Sequence, residues 1–203
     1  MKRIILGAVL AGAVNLAQAD TYTYTFSPTG LGTMDGLDYY TYGFSWDLPA
    51  GQTITDATLT YSNLKLTTAD ANPPSLFYST LLNTAPKGLY TGYDGDNNAP
   101  NPTPGAGVFL LGTATFPRVG YEYSTLTYNF ADITGALAAL DADVADGVFG
   151  LGFDPDCYYT DSSITFTITT TDSSQTHTSV PDAASTSMLL GMALVGLGMF
   201  RRK

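Results

Sequence analysis

The chain of 203 residues contains one histidine, one cysteine, one tryptophan and one glutamate, and each scarcity removes a class of chemistry. His177 lies in a polar stretch near the carboxy terminus, so a Ser-His-Asp or Cys-His centre would have to borrow its base from outside the folded core. A zinc site lacks both a second imidazole and a second thiol. Cys157 stands alone in the sequence, which excludes an intramolecular disulfide; in an exported chain such a thiol is either buried or paired with another chain, and burial beside Phe153 is the expectation. A glycosidase needs two carboxylates about 5 to 9.5 Å apart. Aspartates are plentiful, but no spacing singles out a pair, and a protein that is not an enzyme is expected.

Cations are scarce too. Eight Lys and Arg face eighteen Asp and Glu, for a formal charge of −10. Five of the eight sit at the ends: Lys2, Arg3, Arg201, Arg202 and Lys203. The interior keeps Lys65, Lys87 and Arg118 against every acidic residue in the chain, a balance that repels phosphate backbones and excludes nucleic-acid binding. All of the acid except Glu122 is aspartate, a residue of turns and loops. With 14 tyrosines and 10 phenylalanines, the composition points to a strand-rich folded domain.

The two ends read as addresses. Lys2 and Arg3 precede an apolar run from Ile4 to Val14, and Ala17-Gln18-Ala19 supplies the small-x-small pattern of a signal peptidase site. The apolar run is too short for the roughly 20 residues of a bilayer span. A signal peptide over 1–19 is expected, with Asp20 opening the mature chain. At the other end, Val180-Pro181-Asp182 is followed by small residues, an apolar run from Met188 to Phe200, and the basic stop Arg201-Arg202-Lys203. Counting back from Phe200 through the small residues gives a transmembrane helix over 184–200, short but within tolerance. The basic cluster keeps its end cytoplasmic and places the preceding domain outside.

This tripartite tail, with Val180-Pro181-Asp182, Ser185-Thr186, Leu189-Leu190-Gly191, Ala193-Leu194, Gly196-Leu197 and the terminal Arg-Arg-Lys, resembles the C-terminal sorting signal of PEP-CTERM proteins. The VPD opening is similar to its VPDSG-CTERM variant. Asp182 stands where the commonest form has Glu followed by Pro, and Ala183-Ala184 stands where the variant has Ser-Gly or Gly-Gly. The resemblance covers 180–203 and implies an exosortase-like processing enzyme, a membrane-held intermediate, and delivery to the cell surface or extracellular matrix.

Between the signals, Tyr22, Tyr24 and Phe26 alternate with threonines, and Ile164, Phe166 and Ile168 do the same, giving strands with one apolar and one hydroxylated face. Further strands are predicted at 40–46, 57–66, 76–82, 107–116, 122–130 and 148–153. Ile133, Leu137, Leu140 and Val144 form the stripe of one short helix, with Asp132 or Thr134 to cap it and Gly147 to end it. About eight short strands and one helix predict an antiparallel β-sandwich of jelly-roll type over 20–170, followed by a linker over 171–179. An immunoglobulin-like sandwich is the alternative, but its Cys-Trp-Cys arrangement is absent.

Two binding readings remain for this domain. Asp94, Asp96 and Asn98 are spaced as alternate oxygen donors, with Asp141, Asp143, Asp146 and the pair Asp154 and Asp156 as further candidates for structural calcium. The loop fails as an EF-hand, because Ala99 stands where glycine is needed and Gly105 where a bidentate glutamate closes the shell. Tyr39, Tyr40, Tyr90, Tyr93, Tyr158 and Tyr159 flank turn signals and offer rings for stacking on sugars, the basis for a carbohydrate-binding reading with extracellular polysaccharide as partner. Core packing is the competing role for each.

Overall fold

The computed structural model describes residues 19–68, 75–95, 100–101 and 107–172. The signal segment before Ala19, the linker from 173, the sorting motif, the helix expected over 184–200 and the basic stop lie outside these residues. Eleven strands follow one another: β1 (Thr21–Phe26), β2 (Thr33–Met34), β3 (Asp38–Ser45), β4 (Gln52–Thr68), β5 (Ser75–Leu82), β6 (Gly88–Tyr93), β7 (Val108–Phe116), β8 (Glu122–Asn129), β9 (Val148–Pro155), β10 (Tyr158–Thr160) and β11 (Ser163–Asp172). One α-helix, α1 (Ala136–Asp143), sits between β8 and β9. Among the described residues no helix is long and apolar enough to cross a membrane.

The strands form two antiparallel sheets. One runs β1-β11-β4-β10-β2, with β8 on the other edge of β4. The second runs β6-β3-β9-β5-β7. The pairing is nested along the chain: β1 bonds β11, β3 bonds β9, β4 bonds β8 and β5 bonds β7. β4 serves as a spine because its 17 residues pair with β11 and then β10 along one edge.

Period-two alternation decides which side chains face inward. In β11, Ile164, Phe166 and Ile168 are buried while the threonines between them are only partly so. In β4 the inward set is Ala57, Leu59 and Tyr61, then Leu64 and Leu66. The phase changes at Asn63, whose φ of 54° is a left-handed conformation that asparagine tolerates better than most residues. The core between the sheets is aromatic: Phe44, Phe149 and Phe166 surround one another at centroid separations of 5.2 to 6.4 Å.

The helix occupies its expected place but is capped differently. Its N-cap is Gly135 at φ 87°, with no side-chain cap bond; Asn129, not Asp132 or Thr134, accepts a backbone N–H, from Ala131, in the 3-10 turn Phe130–Asp132 that comes first. Thr134-Gly135 makes a sharp left-handed entry, which a longer side chain at 135 would resist. Gly147, at φ 79°, ends the helical segment as expected. Ala136, Leu140 and Val144 are buried, and α1 packs against β4, β5 and β7.

Two stretches differ from the expected pattern. β6, β10 and β2 are strands that alternation does not predict, since they are short and lack a clean apolar face. β11 also continues through Thr171 and Asp172, the first two residues expected to be linker, because Thr171 pairs with Thr21. The compact β-unit spans Asp20–Ser173.

Candidate functional site

The outer face of the five-stranded sheet is where chemistry collects. On its central strand β9, Phe149, Leu151 and Phe153 fill the core, so Gly150, Gly152 and Asp154 face outward. On the flanking strands the outward residues are Tyr39, Thr41 and Gly43 of β3, and Tyr78, Thr80 and Leu82 of β5. Outward here does not mean exposed, since Thr41, Thr80 and Asp154 are all buried.

Connectivity explains the cover. β5 and β6 are separated in the sheet by β9 and β3, so the segment 83–87 has to cross the face. It does so in direct contact with two glycines: a Cβ on Gly43 would lie 2.3 Å from Pro86 O, and one on Gly150 would lie 2.5 Å from Ala85 Cβ. Glycine within a strand commonly marks such an approach. β6 and β7 are the two edges of the same sheet, and the described part of the chain joining them also meets this face. It touches the face at Asn101, whose backbone N–H donates to Asp154 Oδ2 at 2.6 Å.

This contact brings together two of the acidic groups singled out in the sequence. Asn101 Nδ2 donates to Asp94 Oδ2 at 3.4 Å, and Asp94 shares a hydrogen bond with Asp154. Burial pushes the Asp154 carboxyl up to about 8; the Asn101 N–H opposes this, and the neighbouring Asp94 adds to it. Asp154 therefore holds its proton well above the ordinary aspartate range. Asp156 is occupied with fold geometry: its carboxylate accepts from the Leu76 N–H and the Tyr159 hydroxyl. Asp96 and Asn98 lie outside the described residues. Asp141, Asp143 and Asp146 belong to α1 and the turn after it; burial, with Asp146 nearby, pushes Asp143 up to about 6, and Asp146 accepts from the Val148 N–H. Among the described residues no group of three or more His, Cys, Asp or Glu side chains is placed to hold a metal ion.

The six tyrosines separate. Tyr40 and Tyr159 are core residues; the Tyr40 hydroxyl accepts from the Asp35 N–H at 2.8 Å and Tyr159 donates to Leu76 O at 2.9 Å. Tyr158 is on the other sheet, and Tyr93 ends β6, 75% exposed. Tyr39 and Tyr90 meet at one place, a cleft of about 260 Å³ beside the 83–87 crossing, with Thr41, Leu82, Asn83, Pro86 and Val108 around them. Among the described residues no charged side chain lines it. A larger cleft of about 430 Å³, bounded by 27–32 and 161–164, has no aromatic wall. Thr41 and Asn83 carry no local sequence signal of their own; the signal was present in the strand glycines Gly43, Gly92, Gly150 and Gly152, which mark a bare sheet face.

Of the signal peptidase pair Ala17 and Ala19, Ala19 is described and is exposed just before β1. Val180, Pro181, Asp182, Arg201, Arg202 and Lys203 lie outside the described residues, and their role rests on pattern. Residues 179–203 match the VPDSG-CTERM motif. This motif is a PEP-CTERM-like C-terminal sorting signal, and it begins one residue before Val180. The VPDSG-CTERM match implies export, membrane association and an exosortase-type processing enzyme. It covers the tail alone and says nothing of the β-unit. No curated protein matches the chain.

Proposed function

We propose that the chain is an exported protein whose aspartate-rich β-domain reaches the cell surface or extracellular polymer matrix after an exosortase-type enzyme acts on its tail. The carrying observation is the motif match over 179–203, in which Val180-Pro181-Asp182 forms the recognition end and Arg201-Arg202-Lys203 the cytoplasmic stop. Supporting it are the basic start at Lys2 and Arg3, the Ala17-Gln18-Ala19 site, and the concentration of acid in the segment that would face outward. The apolar stretch 184–200 serves as the transmembrane holding helix in this reading.

The domain itself is read as a jelly roll without catalytic activity. The nested pairing supports the first part: β1, β4, β8 and β11 in one sheet and β3, β5, β7 and β9 in the other follow the two interleaved Greek keys of that architecture. The scarcity of general bases supports the second. Replacing Val180-Pro181-Asp182 by alanines tests the sorting reading through intact mass and surface labelling. Loss of tail processing with retention at the membrane is expected; processing and display unchanged from wild type would remove the claim.

A second reading, carbohydrate binding by the β-domain, is favoured by one observation, the convergence of Tyr39 and Tyr90 on a cleft with no charged side chain among the described residues. Sugars offer an apolar ring face to an aromatic plane and hydroxyls to its polar surround.

A further inference from the structure

We infer that the cleft beside the 83–87 crossing of the five-stranded sheet seats a single neutral pyranose ring, held against Tyr39 and Tyr90 with the Thr41 hydroxyl beneath it. The inference rests on the carbohydrate-binding reading and adds to it a place, a ligand charge and a ligand size.

Charge comes first. Among the described residues the cleft is lined by tyrosine, threonine, asparagine, glycine and apolar side chains, with neither a cation for a carboxylate or phosphate nor an anion for an amine. The domain around it is strongly acidic, which disfavours anionic sugars at any distance within the screening length. A neutral ligand with both apolar and hydrogen-bonding surface is what remains. Size follows from the volume of about 260 Å³, below the usual range for drug-sized ligands and suited to one ring.

The walls are built for the purpose. Tyr39 lies across β6 at Gly92, where a Cβ would fall 2.3 Å from its ring carbon Cζ. Any other residue at 92 would displace the ring. Tyr90, 48% exposed, stands opposite Thr41 in the β3–β6 ladder. Asn83 closes the far side: its N–H donates to Gly107 O at 2.9 Å, and its side chain covers the space a Cβ on Gly107 would take.

The floor supplies the second, independent observation. Thr41 is 5% exposed, and its Oγ1 is buried with no hydrogen-bond partner among the described residues; Thr80, across Gly152, is in the same condition. A buried hydroxyl left unpaired is costly, and strands rarely keep one where valine would fit. Thr41 is one of the residues lining the cleft, and in this reading a ligand hydroxyl or its bridging water completes its Oγ1.

The test uses the full-length protein in a zwitterionic detergent that carries no sugar headgroup. Methyl glycosides of glucose, galactose and N-acetylglucosamine are titrated by saturation-transfer NMR beside glucuronate and glycerol, and each variant is checked by thermal melting. Saturable binding of at least one neutral glycoside is expected, weakened about tenfold by Tyr90→Ala and about threefold or more by Thr41→Val. Thr41→Val is also expected to melt higher than wild type, since it removes an unpaired polar group. A residue with only a structural role would change melting and leave binding alone. Binding that survives both substitutions places the sugar elsewhere and overturns this site while keeping the carbohydrate reading. No glycoside binding at all removes both. Glucuronate or glycerol binding as tightly as the glycosides overturns the ligand class.

Discussion

The backbone N–H of Asn101 reaches across the outer face of the five-stranded sheet to Asp154 Oδ2 at 2.6 Å, pinning the β6–β7 connection to the central strand. The acceptor is a buried carboxyl held up to about 8 by desolvation, with Asp94 at its side. Folding therefore takes up a proton between the ordinary aspartate range and pH 8. The native state holds more protons than the unfolded state in that window, so stability falls as pH rises through it. Asp38, Asp143 and Asp161, also raised by burial, act in the same direction. The melting midpoint is expected to be higher at pH 5 than at pH 9. Asp154→Asn keeps an acceptor for Asn101 and a donor for Asp94, so the substitution is expected to melt above wild type at pH 9 and to narrow the gap between the two pH values. A pH profile as steep as that of wild type would show that Asp154 is not the source.

The aromatic core yields a prediction about magnitude. Phe166 is fully buried and lies 5.5 to 6.4 Å, centroid to centroid, from Phe26, Phe44, Phe130 and Phe149. These rings come from both sheets and from the turn before α1, so the site has little freedom to collapse. Phe166→Ala is expected to cost about 3 to 5 kcal/mol, measured by denaturant unfolding. Tyr22→Ala, on the neighbouring β1 but 38% exposed, is expected to cost less than about 1 kcal/mol.

How far the fold was legible depended on burial asymmetry. β1 and β11 announce themselves because each has one wet and one dry face, which writes alternation into the chain. β6 does not: Leu89, Tyr90 and Thr91 are all exposed, so neither of its faces is dry enough to write alternation into the sequence. The helix was legible from Leu140 and Val144, but its cap was not, since Gly135 acts through its backbone and leaves no side-chain signature. The tail was legible because its signal is local. The cleft was not, because Tyr39 and Tyr90 become neighbours only through β3–β6 pairing. Asp94 and Asp154 both stand out in the sequence, yet for separate loops; their union depends on a crossing of the sheet that no local pattern encodes.

Cys157 offers a direct reading of domain integrity. Its side chain is 3% exposed and Sγ lies 3.3 Å from Ser75 Oγ, with the thiol as donor. A buried neutral thiol is unreactive because alkylation proceeds through an accessible thiolate. Iodoacetamide is expected to leave the folded protein unmodified over hours at about pH 7.5 and to add one carbamidomethyl group in concentrated guanidinium. Equal labelling in both conditions would mean that β10 and the start of β5 separate in the native state.

The close passage of 83–87 over the sheet makes two glycines of the same region behave differently. At Gly43 the conformation is ordinary, and the obstacle is steric: the missing Cβ would meet Pro86 O at 2.3 Å and Ala85 O at 2.6 Å, both backbone atoms. At Gly88 nothing lies within 4 Å, but φ is +81°. Gly88→Ala is expected to cost about 1 kcal/mol through conformation alone. Gly43→Ala must push the crossing segment off β3 and is expected to cost about 2 to 3 kcal/mol, a fall of several degrees in midpoint for a domain of this size. Because Ala85 and Pro86 border the cleft that holds Tyr39 and Tyr90, Gly43→Ala should also perturb their ring resonances, whereas Gly88→Ala should leave those of Tyr39 in place. Equal costs at the two positions would mean that the crossing is not packed on the sheet as described.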